Sequence, residues 1–223
     1  LYGWRRAQRC THALRTVVQA GADNTVEVHI AMSTPRLRED LITYKIYPNG
    51  RLYVYHSAVP KQDMLRFGFQ MTLPGSYEYV NWYGRGPHPS YRDRKTGAAL
   101  GRYQSTVTAL EHRYMRPQES SNRTDTYDLY VCDSHGEGFR VQAYYETPFA
   151  FSAYHYTTMG LDKAAHIHEI PYDPSLTTLN IDGAQCGVGG DLPGQGAVRA
   201  PYRVTAGEKC SYAFVLEPMH KKK

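Results

Sequence analysis

The sequence is 223 residues long and carries a net charge of +5, three units of which come from Lys221, Lys222 and Lys223. The other cationic side chains are scattered among acids, which argues against a dedicated nucleic-acid or membrane surface. With 41% hydrophobic and 21% charged residues the chain is not of the disordered class, and no apolar run approaches the ~20 residues of a membrane helix.

The length suits one all-β domain with a sizeable core. Period-two alternation dominates. "TVEVHIAM" sets Val26, Val28 and Ile30 on one face. "LITYKIYPNGRLYVYHS" predicts a hairpin turning at Pro48-Asn49-Gly50. "MLRFGFQM" places Leu65, Phe67, Phe69 and Met71 on one side. The stretch Asn81–Ala98, "NWYGRGPHPSYRDRKTGA", reads as a loop, because Gly84, Gly86, Pro87 and Pro89 forbid a helix interior. "YDLYVCDSHGEGFRVQAYY" predicts a second hairpin turning over Ser134–Gly138, and "EKCSYAFVLEP" a closing strand with Cys210, Tyr212, Phe214 and Leu216 on one face. No 12-residue window holds a 3.6 period. The expectation is a single antiparallel β-sandwich over residues 1–223, with a frayed tail at 219–223.

Most candidate chemistry has a plainer structural reading. His166 and His168, at i and i+2 with Glu169 beside them, would share one face of a strand, but two histidines fall short of a three-ligand zinc site. Asn122-Arg123-Thr124 matches the glycosylation sequon, a match that reads as chance without a sign of secretion. "GVGGDLPGQG" (187–196) is glycine-rich without a phosphate-binding spacing, and reads as a functional loop. Cys10, Cys132, Cys186 and Cys210 form no CxxC pair and read as reduced thiols of a cytoplasmic protein; a Cys186–Cys210 disulfide is the alternative. Glu111, Glu119, Glu137 and Glu146 supply carboxylates, but none lies in a signature that marks a glycosidase acid or nucleophile. The segment 114–131, with Arg116, Gln118, Glu119, Asn122, Arg123 and Asp125, suits either sugar hydroxyls or a salt-bridged brace.

In order along the chain, "VNWYGRGPHPSYRDRKTGAALGRY", "YMRPQESSNRTD", "SAYHYT", "AHIHEI" and "LNIDGAQCGVGGD" resemble the C-terminal, small-chain domain of glycoside hydrolase family 2 β-galactosidases. The resemblance covers roughly Trp4 to Leu216. It implies a β-supersandwich related to galactose mutarotase. It also implies a partner: a catalytic TIM barrel elsewhere in the polypeptide, which supplies the acid and nucleophile for retaining hydrolysis of a terminal β-galactoside. No hydrolysis is expected from this chain alone, and no cofactor or metal. The family domain starts earlier than this chain, so its first strands are expected to be missing.

The resemblance also sets expectations for particular residues. It places Asp191, Gln195, Arg116 and Glu119 against the sugar. It places Trp82, Arg85, His88, Tyr91 and Arg94 at the junction with the barrel. Family members carry a sugar-stacking Trp in the loop after Gly-Gly-Asp, where this chain has Gly194. Two rival readings stay open: a stand-alone carbohydrate-binding module, and an aldose epimerase pairing His155 with Glu119. Oligomeric state, a secreted or periplasmic location and the natural galactoside are not decided by the sequence.

Overall fold

A computed structural model describes residues 2–115, 119–189 and 198–219. Its strands are β1 (His12–Ala20), β2 (Val26–Ser33), β3 (Leu37–Ile46), β4 (Leu52–Pro60), β5 (Arg66–Pro74), β6 (Tyr79–Gly86), β7 (Ala99–Thr106), β8 (Arg123–Thr126), β9 (Asp128–Cys132), β10 (Gly138–Ala143), β11 (Phe149–Tyr154), β12 (Leu176–Gln185) and β13 (Cys210–Met219). Short helices α1 (Tyr2–Arg9), α2 (Val107–Leu110) and α3 (Thr158–Lys163) punctuate them.

The hairpin at Pro48–Gly50 forms as its turn residues demand. Gly50 takes φ 82°, a region costly for a side chain, and Ile46 pairs with Leu52 across the turn. The second hairpin also forms. The Asp133 carboxylate accepts from the backbone N–H of His135 and Glu137, and Gly138 pairs with Cys132.

All described pairings are antiparallel and make two sheets. The larger has nine strands in the order β1-β2-β3-β4-β13-β10-β9-β6-β7; the smaller has four, β5-β12-β11-β8. The inner faces meet in one core, where Val54, Trp82, Leu129, Val131, Val141 and Phe214 pack with Phe67, Phe149, Phe151, Leu179 and Ile181. Edge-to-face ring pairs tie the layers, with centroids 5.6 Å apart for Trp82–Phe151 and 5.8 Å for Phe69–Phe214. Each such buried side chain contributes about 1.5–3 kcal/mol.

Two expectations change here. Asn81–Gly86 is not loop but most of β6, paired on one side with β9 and on the other with β7. Its glycines serve close approach: a Cβ on Gly84 would lie 2.9 Å from the Thr126 Cα of β8. Met219, expected to fray, closes β13 by pairing with Gly138. Only residues 220–223 of that tail lie outside the described ones. No helix among the described residues is long and apolar enough to cross a membrane.

Candidate functional site

The four-stranded sheet turns its apolar side chains inward, so alternation sends polar ones to its other face. Gln70, Ser152, Tyr154 and Asn180 meet there: Asn180 Nδ2 donates to Ser152 Oγ and lies 3.0 Å from the Tyr154 hydroxyl, and Gln70 Nε2 donates to Asn180 Oδ1 at 2.7 Å. At the same face, Arg66 of β5 stands between two carboxylates. Its Nη2 donates to Glu119 Oε1 at 2.8 Å, and its Nε lies 3.0 Å from Asp182 Oδ2 of β12.

The two carboxylates differ in exposure. Asp182 is 1% exposed, and neither of its oxygens has a hydrogen-bond partner. The contact with Arg66 is thus an ion pair without hydrogen-bond geometry. Burial pushes the Asp182 carboxyl up to about 7; Arg66 opposes the shift and Glu119 adds to it. Arg66 stays firmly charged: Asp182 and Glu119 together outweigh its burial.

Three connections converge beside this cluster: residues 87–98 after β6, the segment before β8, and the residues that follow β12. Ser90 N donates to Asn122 O at 2.8 Å, and Asn122 Nδ2 donates back to Ser90 O at 2.9 Å. Thr124 N donates to Ser90 Oγ at 3.0 Å. Arg94 Nη2 donates to the Tyr114 hydroxyl at 2.8 Å. The Asp93 carboxylate accepts from Val188 N at 3.1 Å and Gly189 N at 2.9 Å, so one side chain ties the first connection to the start of the glycine-rich third.

Arg123 lies beneath these connections. It donates to the carbonyls of Leu110, Ser121 and Pro87, and its guanidinium stands 5.8 Å over Trp82. Burial lowers this guanidinium to about 10, and its hydrogen bonds go to backbone carbonyls. Asp125 is pushed up by burial, but hydrogen bonds from Lys95 and Arg85 outweigh that and leave it below the usual carboxylate range. Ser121 and Asp125 both adopt positive φ, 63° and 51°. Such strain in side-chain-bearing residues is held in place only by surroundings as tightly bonded as these.

The structure separates the expected site residues. Glu119 is bonded to Arg66, which also pairs with Asp182; the sequence reading selected neither partner. Arg116, Asp191, Gln195 and Gly194 lie outside the described residues. Of the junction residues, Trp82 and Tyr91 are buried in the chain itself, and Arg85 is half-buried on Asp125 and the carbonyls of Lys95 and Ala98. His88 and Arg94 are exposed.

The pairing of His155 with Glu119 does not form. Both ring nitrogens of His155 face other acceptors, Glu78 Oε2 and Leu176 O, each at 2.7 Å. His166, His168 and Glu169 sit on a 3-10 turn rather than a strand, and Glu169 accepts from the backbone N–H of Ala165 and His166. Among the described residues no group of three or more such side chains could hold a metal ion. Asn122, within the sequon, is buried. All four cysteines are free, so the Cys186–Cys210 bridge is absent.

Signals for the missed residues were present. Arg66 opens a strand otherwise read for its apolar face, and in the "LNID" of β12 Asp182 follows Asn180 on the polar face. A charge inside a buried strand demands a partner.

Comparison with known proteins places this arrangement. The family model described as the β-galactosidase small chain matches residues 2–216. The chain is 30% identical over 220 residues to a β-galactosidase of Priestia megaterium, covering 97% of this chain and 21% of that protein. It is 33% identical over 181 residues to a β-galactosidase of Halalkalibacterium halodurans, covering 78% of this chain and 18% of the relative. It thus spans about a fifth of the length of these curated relatives. Among solved structures, a galactose 1-epimerase from Lactobacillus acidophilus is 12% identical and aligns with a TM-score of 0.47, over 92% of this chain and 66% of its own. With the family model matched along nearly its whole length, this antiparallel sandwich belongs to the β-galactosidase small-chain family.

Proposed function

We propose that this chain is the non-catalytic C-terminal domain of a family 2 β-galactosidase, and that the connections gathered by Asp93, Ser90 and Arg123 form one wall of its active site. The observation that carries this reading is the state of the carboxylates. A retaining glycosidase needs two accessible carboxyl groups about 5–5.5 Å apart. Here Asp182 is sealed from solvent and Glu119 is held by the same guanidinium, so the pair cannot serve as acid and nucleophile. In this reading both catalytic groups come from a barrel domain of the complete polypeptide.

In this reading Arg116, Glu119, Asp191 and Gln195 face the sugar. His88 and Arg94 meet the barrel, while Trp82, Arg85 and Tyr91 support that surface from within. Asp93 sets where the glycine-rich loop departs from β12, so its effect should appear in substrate binding.

Two measurements test the proposal. The isolated chain should not hydrolyse a nitrophenyl β-galactoside; turnover abolished by Glu119→Gln would overturn the reading. In the complete enzyme, Asp93→Ala should raise KM about tenfold, the loss of ~1.4 kcal/mol of binding, with a smaller effect on kcat. An unchanged KM in a folded variant would show that these connections do not border the substrate.

A further inference from the structure

The outer face of the nine-stranded sheet lies on the opposite side of the sandwich from the Arg66 cluster. Val54 points into the core, so its neighbours Tyr53 and Tyr55 point out, and Tyr144 joins them where the chain leaves β10 for β11. The Tyr53 and Tyr144 rings meet edge to face at 4.7 Å, and Tyr144 meets Tyr145 in the same way at 4.3 Å. Tyr47 borders the group, with Lys45 and Arg51 held 5.7 and 5.6 Å over its ring.

The turn that displays Tyr145 is strained. Thr147 N donates to Tyr144 O across two central residues, Tyr145 at φ 46° and Glu146 at φ 58°. Two successive positive φ values suit Asn-Gly, and a bulky side chain there is disfavoured. The turn itself does not require a tyrosine, yet the ring is 84% exposed and apolar on its free face. A large aromatic held on a strained turn against a second aromatic is a display, and such strain points toward binding.

We propose that this patch is a saccharide-binding site, separate from the wall described above, that takes a neutral hexopyranoside with the sugar ring laid on Tyr145. The C–H face of a pyranose matches an exposed phenol ring, and planar polar groups at the margin match its hydroxyls. The margin carries both signs of charge and the cations are already paired, Arg51 with Glu217 at 3.2 Å and Lys45 with Glu27 at 3.5 Å. A charged ligand therefore finds no waiting counter-charge.

The test is residue-assigned NMR of the tyrosine side chains of the 223-residue chain, titrated separately with lactose and cellobiose. The expected result is a millimolar site whose shifts centre on Tyr53, Tyr144 and Tyr145. Tyr145→Ala should weaken it at least tenfold, while Tyr79→Ala, which removes an exposed tyrosine on β6, leaves it intact. The double variant Tyr145→Asn, Glu146→Gly should raise the melting temperature and abolish binding. Unmoved rings with both sugars would overturn the proposal. So would undiminished binding by Tyr145→Ala or by the double variant, or a melting temperature that fails to rise.

Discussion

Strands β1 and β9 belong to one sheet and share one alternation, yet they end in opposite environments. Leu129 and Val131 of β9 are 0% exposed, whereas Leu14 and Val18 of β1 are 66% and 64% exposed. Neither hydrophobicity nor pairing accounts for the difference. The second sheet is four strands wide against nine, and its cover falls on β4, β13, β10, β9 and β6. Alternation decides which way a side chain points; a neighbouring layer decides whether that direction is inside.

Point substitutions provide the strongest test of that contrast. Leu129→Ala should cost about 2–5 kcal/mol in urea unfolding, from lost burial plus a cavity. Val18→Ala should cost less than ~0.5 kcal/mol, as at any exposed site. Equal losses would mean that something covers β1 in solution.

Protonation should sharpen the contrast, since the covered small sheet also holds Asp182. Its folded-state carboxyl is raised to about 7, above the ~3.9 of an unfolded Asp. Between those values the folded chain binds the extra proton, so this group's contribution to stability falls as pH rises from about 4 to about 7. The slope, on the order of 1 kcal/mol per pH unit, should flatten in Asp182→Asn. Asp125, held below its ordinary range, works the other way and matters only under about pH 4. A slope unchanged in Asp182→Asn would assign the pH dependence elsewhere.

The smallest effect concerns the uncovered edge. Val18→Lys should leave the unfolding free energy within ~0.5 kcal/mol while reducing self-association in sedimentation velocity, because a charge blunts an exposed edge strand. A large loss of stability would break the comparison outright.

Legibility in the sequence follows the same division. The hairpin at Pro48–Gly50, the inward face of β13 and the alternation of β2 were readable, because turn chemistry and period two are local. Strand β6 was not, since Gly84 and Gly86 look like loop residues until β8 is seen against them. The pairing of Arg66 with Asp182 spans 116 positions and depends on β5 and β12 becoming neighbours. Glu119 was found by family resemblance, but its partner emerged only from the fold. His155 shows the converse: a plausible acid on paper, it is already committed on both nitrogens.

The clasp between Ser90 and Asn122 has a consequence for how the chain can be made. Asn-Arg-Thr is a valid acceptor tripeptide, and oligosaccharide transfer acts on chains still being synthesised, before any loop has closed. In the finished protein the Asn122 amide is buried and its nitrogen donates to Ser90 O. A glycan there would replace one of the two Nδ2–H bonds, and its bulk at a buried position would hold two of the three connections apart. In a glycosylating lumen, maturation therefore becomes a race between closing the clasp and modification, and a chain modified first cannot complete the clasp.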